Sequence, residues 1–123
     1  MGKKLNERVG ALEYDELIIG SHPVADVVLV DLAAGSGIIK RGTVVIGDPG
    51  GTFAPIAAAA SAGKALYIVA EDADITGSDP VTATVYRSGK FNRQRLLTNG
   101  TYTLAKSDEE YLRLGNILLD DAI

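Results

Sequence analysis

Apolar residues along this chain come in short, β-branched runs broken by glycine, proline and acidic clusters, a rhythm that predicts strands. The two clearest runs are DVVLVDL, Asp26 to Leu32, and TVVIG, Thr43 to Gly47, both bounded by turn residues. Between them AAGSGIIKRG holds Gly35, Gly37 and Gly42 and predicts a sharply bent ribbon, since glycine accepts the positive φ that bends and bulges demand. GDPGG is a plain turn signal. KALYIVA, Lys64 to Ala70, reads as a further strand, and the acidic EDADITGSDP after it as a loop. From Val81 small and apolar residues alternate up to Tyr86, then come Ser88-Gly89 and Phe91, which predicts two strands joined by a tight hairpin turn.

Helical spacing is confined to two places. Ala57 to Ala60 favour helix by propensity, but Pro55 and Gly63 leave room for only about two turns. Near the C-terminus, Ser107 opens SDEEYLRLGNILLD with Glu110 three positions on, the spacing of a capping box. Tyr111, Leu114 and Leu118 recur at i, i+3 and i+7, with Leu112 and Ile117 widening the stripe, so one face should bury against the sheets. Gly115 in the middle costs about 1 kcal/mol relative to alanine and points to close packing or a short helix.

Residues 1 to 20 differ in pattern from the rest of the chain. Lys3, Lys4, Glu7 and Arg8 are polar, then Leu12, Tyr14, Leu17, Ile18 and Ile19 appear with acids among them. One reading is an extended N-terminal arm over 1–20, jointed at GSHP to a single globular domain over 21–123. The other is an ordinary first strand of that domain.

With 123 residues the chain is long enough to bury about two thirds of its unfolded surface as one domain. Apolar content is 46% and mostly aliphatic, without tryptophan. The net charge of −4 argues against general nucleic-acid binding, which needs a clustered positive surface. Arg87, Lys90, Arg93 and Arg95 are a local exception, with no acid between them. Zero cysteines exclude disulfides and thiolate catalysis. The first ten residues lack the apolar run of a signal peptide, and no later segment reaches about 18 apolar residues, so the expectation is a soluble protein made in a cytoplasm, with no membrane partner. Gly2 does not open a myristoylation motif, because Asn6 stands where Ser or Thr is needed.

No reaction class has its minimum parts, and no cofactor is expected. His22 is the only histidine and precedes Pro23 in a loop; without cysteine or a second histidine it makes no usual zinc site, and no nucleophile elbow surrounds any serine. DADITG, Asp72 to Gly77, matches the first half of a calcium loop, but Ala83 stands where the bidentate glutamate should be. The glycine-rich turns do not continue into a phosphate cradle. Asp120 and Asp121 read as tail solvation, since nothing apolar nearby would raise one pKa.

Three pieces carry a resemblance. YIVAEDADITGSDPVTATVYRSGKFN, Tyr67 to Asn92, is similar to the strand, loop and Y-[KR]-S-G-x-F hairpin of the lambda-type phage head decoration proteins. IKRGTV, Ile39 to Val44, and EYLRLGNI, Glu110 to Ile117, resemble further family segments in the same order, so the likeness spans roughly residues 10 to 118. It implies no enzyme but a mainly β fold with a short C-terminal helix, a β-clip-like bent ribbon or small incomplete barrel carrying an extended arm. It further implies a homotrimer on the outer surface of the virion, at three-fold and quasi-three-fold positions of the expanded capsid. There it would cement the major capsid protein against internal DNA pressure.

In that family the arm is disordered in solution and becomes a strand on the capsid; NERVGALEYDELIIG here is more apolar than the lambda protein's Pro- and Thr-rich arm. The capsid-binding positions expected on the arm are Lys4, Val9, Leu12, Tyr14, Leu17 and Ile18. Arg87, Lys90, Phe91, Arg93 and Arg95 are expected to contact a neighbouring protomer or the capsid protein, the basic ones by pairing with its acids. The competing reading of the same stretch is a solvated hairpin whose arginine stems cover apolar surface. The alternative for the whole chain is a small β-barrel module that binds a carbohydrate or cell-surface ligand.

Overall fold

The computed structural model of the chain describes residues 16–121. The expected arm positions Lys4, Val9, Leu12 and Tyr14 lie outside the described residues. Among the described residues nine strands and one α-helix follow in order: β1 (Ile18–Gly20), β2 (Asp26–Leu32), β3 (Ile38–Ile39), β4 (Val44–Gly47), β5 (Thr52–Pro55), β6 (Ala65–Val69), β7 (Ala73–Asp74), β8 (Val81–Asn92), α1 (Lys106–Leu114) and β9 (Ile117–Asp120). The mainly β fold with one short helix near the C-terminus is the one the hydrophobic rhythm predicts.

Five strands close into a small barrel. β8 pairs antiparallel with β2, placing Val28 opposite Val85, and β2 pairs parallel with β5 through Asp31–Thr52 and Leu32–Phe53. β4 joins β5 and β6 in antiparallel pairs, and β6 returns to β8 with Ile68 opposite Tyr86. The short β3 and β7 pair separately across the bend that the glycines predicted.

Alternation along these strands divides the apolar residues between two cores. Leu32, Val45, Phe53, Val69, Ala83 and Val85 point into the barrel. Val44, Leu66, Ile68 and Tyr86 point outward, where Leu17, Phe91, Leu112 and Ile117 cover them. Continuous apolar runs in β4 and β6 thus have a cause: both of their faces are buried.

The hairpin expected at Ser88-Gly89 does not form. β8 runs straight through it as one 12-residue strand. Its first part belongs to the barrel; its last four residues, Gly89 to Asn92, lie between β9, which is parallel, and β1, which is antiparallel. Both residues of the dipeptide find partners where they stand. The Ser88 hydroxyl donates to the Val24 carbonyl at 2.8 Å, and the Gly89 N–H donates to the Asn116 carbonyl at 3.1 Å. Gly89 has φ +143, and a Cβ there would lie 2.8 Å from the Phe91 ring, so glycine marks a change of sheet, not a reversal of the chain.

The C-terminal helix starts two residues before the expected place and ends earlier. Its N-cap is Ala105, which has no side-chain oxygen, and Asp108 performs the capping instead of Ser107 and Glu110. The Asp108 carboxylate accepts the Ala105 N–H at 2.8 Å, the Ala60 N–H at 2.7 Å and the Tyr102 hydroxyl. Two of these donors lie outside the helix, so local spacing could not reveal them. Asn116, at φ +69, ends the helical path just after Gly115, the C-cap, and Ile117 and Leu118 continue as β9. Leu112 is buried and Leu114 is 77% exposed, so the expected stripe through Leu114 and Leu118 does not exist. The alanine run stays a loop, closed against the helix by the Ala60 bond to Asp108.

Candidate functional site

β8 and the 3-10 turn after it, Arg93–Arg95, carry the four basic residues, each beside acids from a different part of the chain. Arg87 grips Asp26 of β2 through Nε at 2.8 Å and Nη2 at 2.7 Å. Lys90 stands 3.7 Å from Asp120 of β9. Arg93 forks onto both carboxylate oxygens of Glu109 at 3.0 Å and reaches Asp121 at 2.9 Å. Arg95 pairs with Glu16 at 2.7 Å. A run of charge without internal acids is, in the fold, a seam that stitches β2, β9, α1 and the start of the body to β8.

The titration behaviour follows from these contacts. Asp26 is held below the ordinary carboxylate range by its bonds from Arg87 and then from the Val27 N–H. Arg93 is pushed further above its already high range by Glu109 first and Asp121 second. Phe91, expected among the contact residues, is instead fully buried, 5.1 Å from Tyr86 between ring centroids. Arg41, which no sequence signal singled out, lies over the Tyr86 ring, with its guanidinium carbon 5.5 Å from the ring centroid and Nη1 donating to the hydroxyl at 2.6 Å.

The expected arm ends in the body. Leu17 is 2% exposed in the outer core, and Ile18 pairs with Phe91 of β8. Ile18–Gly20 thus forms β1 against β8, with Leu17 packed just before it.

Several large apolar side chains are also exposed. Val27 and Leu29 face outward from β2, Leu29 being 65% exposed, and Val24 lies just before the strand. Cross-strand neighbours on that face are Thr84, opposite Leu29, and Thr82, opposite Asp31; the Thr82 hydroxyl donates to the Asp31 carboxylate at 3.0 Å. Ile38 and Leu97 form a second exposed pair on the wall of one groove, and Leu114 stands at the end of α1. The unbroken VVLV run was the one available signal: four apolar residues in a row need cover on both faces, and in β2 only the inward face, with Val28 and Val30, has it.

The residues that suggested metal or acid–base chemistry are engaged locally. Asp72 accepts the Arg41 N–H at 2.7 Å, and Asp74 accepts the Thr76 N–H at 2.9 Å, which holds its carboxyl below the ordinary range. Among the described residues no three His, Cys, Asp or Glu side chains converge as a metal site, and no helix is long and apolar enough to cross a membrane.

Among curated proteins the sequence finds no match. One family profile, described as bacteriophage lambda head decoration protein D, matches residues 10–117, which takes in every described strand up to the start of β9. A match over that much of the chain, on a small β barrel with a C-terminal helix, settles the family, which is one of structural virion proteins: the chain belongs to the bacteriophage lambda head decoration protein D family.

Proposed function

We propose that the protein binds as a homotrimer to the outside of the expanded phage capsid, at three-fold and quasi-three-fold positions, and stabilises it against internal DNA pressure. The family match over residues 10–117 carries this reading. The residues before Leu17 serve as the capsid-binding arm, with Lys4, Val9, Leu12 and Tyr14 as contacts and Leu17 and Ile18 as its root. Three identical arms on one trimer give avidity: once one docks, the others bind at high effective concentration, a gain of about 100-fold to 10,000-fold. The outward face of β2, with Val27 and Leu29 exposed, supports association between copies, because uncharged β-branched and aliphatic side chains on a sheet face need cover. Arg87, Lys90, Arg93 and Arg95 set register at the rim, using the donors their internal partners leave free.

Co-sedimentation with undecorated expanded heads tests the cement role, beside a variant lacking residues 1–15. Cutting at residue 15 spares Leu17, which the core requires. Binding by the full chain and its loss in the truncation is the expected result; equal binding by both would move the contact to the body, and binding by neither would overturn the reading. Leu29→Asp should shift the free protein toward monomer in analytical ultracentrifugation, and an unchanged mass would remove β2 from the contact between copies.

A further inference from the structure

Of the asparagines in the chain, Asn6, Asn92, Asn99 and Asn116, only Asn99 is followed by glycine. That pair sits in a tight turn. The Tyr102 N–H donates to the Asn99 carbonyl at 3.2 Å, and Gly100, at φ +60, takes the second position, which glycine fills without strain. Asn99, Gly100 and Thr101 are all exposed. Among the described residues the Asn99 carboxamide has no hydrogen-bond partner and the Gly100 N–H has no acceptor. The other described asparagines differ. Asn92 is buried and its carboxamide oxygen accepts the Gln94 N–H at 3.0 Å, while Asn116 precedes the buried, β-branched Ile117 that opens β9.

The same turn is tied to the outer core and to the helix cap. The Asn99 N–H donates to the carbonyl of the fully buried Ile56 at 3.0 Å, and the Thr98 hydroxyl donates to the Tyr102 carbonyl. Tyr102 gives its own hydroxyl to Asp108, the carboxylate that also holds the Ala60 and Ala105 N–H groups. Asn99 further lines a depression of about 500 Å³ that it shares with Ile38, Lys40 and Leu97. An exposed, unpartnered side chain is therefore one residue pair away from the buried charge that starts α1.

We propose that Asn99 is a self-modifying site, where the Gly100 amide nitrogen attacks Asn99 Cγ and the isoaspartate that results loosens the cap of α1. In the first step the N–Cγ bond forms and the Cγ–Nδ2 bond breaks. The Gly100 amide proton leaves with the departing nitrogen as ammonia, and a five-membered succinimide remains. Water then opens the ring. Its attack at Cγ leaves aspartate on an ordinary backbone; its attack at the former Asn99 carbonyl leaves isoaspartate, whose main chain runs through Cβ and Cγ. Nothing is oxidised or reduced. The unbonded Gly100 N–H supplies the nucleophile, and the missing Cβ of Gly100 leaves its approach open. Isoaspartate moves the carbonyl that held the Tyr102 N–H into a side branch and lengthens the turn by one carbon, so Tyr102 loses its fixed position and Asp108 loses a donor. Aspartate adds a charge to the groove that holds Lys40 but keeps the turn. The inference is independent of the capsid role proposed above.

The full native chain and a free peptide of residues 97–102 should be aged side by side in mildly alkaline buffer and followed by peptide mass spectrometry. Conversion adds about one dalton at Asn99, and electron-transfer fragmentation tells isoaspartate from aspartate. The native chain should convert at a rate within 10-fold of the peptide's, faster as pH rises because the attacking nitrogen must lose its proton, while Asn92 and Asn116 stay unchanged. A native chain slower by more than 10-fold, or Asn116 converting as fast as Asn99, would overturn the site. The isoaspartyl form, one charge more negative, is then separated by anion exchange and compared with the unaged chain by hydrogen exchange. Its amides at Ala60 and over 105–109 should exchange at least 10-fold faster, and unchanged rates would overturn the link to the helix cap. Asn99→Asp carries the charge on an ordinary backbone and should exchange like the native chain. Equal loosening in that variant would assign the effect to charge and overturn the route through the turn.

Discussion

Asp108 is a carboxylate with no exposed surface, and its charge is matched by donors that meet at one point. Replacing it with alanine leaves the Ala60 and Ala105 N–H groups without an acceptor, at a cost of about 3 kcal/mol. Urea denaturation should show that loss for Asp108→Ala and a change within about 0.5 kcal/mol for Glu110→Ala, whose partner Arg113 is as exposed as it is. Equal losses would mean that the glutamate at the expected box position caps after all. Asp26 and Asp74 titrate below their unfolded values, so the stability they contribute is full above about pH 4 and drains as pH falls through the lower folded values. Thermal melts between pH 6 and 2 should therefore fall at the acid end, and less steeply for Asp26→Asn. Tyr102 behaves in the opposite sense: its bond to Asp108 raises its pKa, so its contribution holds below about pH 10 and fades as pH rises through the higher folded value. Tyr102→Phe should flatten that alkaline decline, and an unchanged slope would separate Tyr102 from it.

At the scale of elements, β8 organises the molecule, because it alone serves the barrel and the smaller sheet with β1 and β9. Gly89 is where it changes sheet. Gly89→Val would bring a side chain into the Phe91 ring at a φ that L-residues rarely adopt, and a loss of about 3 kcal/mol is expected by chemical denaturation. Faster hydrogen exchange in β1 and β9 than in the barrel would place the damage at the small sheet; uniform loosening would contradict a division of β8. The β2 run was legible to the residue in the sequence, and β4 and β6 nearly so, because β-branched residues between turn signals report local preference directly. β8 was not, because Ser88-Gly89 has the composition of a turn and only its distant partners, Val24 and Asn116, hold it extended.

For the whole molecule, the proposed boundary between arm and body is tested by two truncations, since Leu17 is buried and Ile18–Gly20 pairs with β8. Removing residues 1–15 should leave the melting temperature within a few degrees of the native chain. Removing 1–20 deletes the buried Leu17 and the β1 pairing with β8, and should cost about 2–5 kcal/mol, or 10 °C or more for a domain of this size. Calorimetry of the two truncations decides the matter, and equal melting temperatures would return residues 16–20 to the arm. The ion pairs of Glu16 with Arg95 and of Asp121 with Arg93 close both ends of the described chain onto the turn after β8, so the truncations probe one cooperative body.

The sequence by itself determined the mainly β class, the position of the strongest strands, a helix near the C-terminus and, through three ordered segments, the family. Those are consequences of local preference and of spacing along the chain. Only the tertiary structure decided that Val81 to Asn92 is one strand, that Asp108 caps the helix, that Leu17 belongs to the core and that the basic run has internal partners. Each of these depends on a group far away in sequence: Asn116 for Gly89, Ala60 for Asp108, Gly42 for Leu17, Glu16 for Arg95. A hydrogen bond or an ion pair forms wherever the fold brings donor and acceptor together, and the order of residues does not record that meeting.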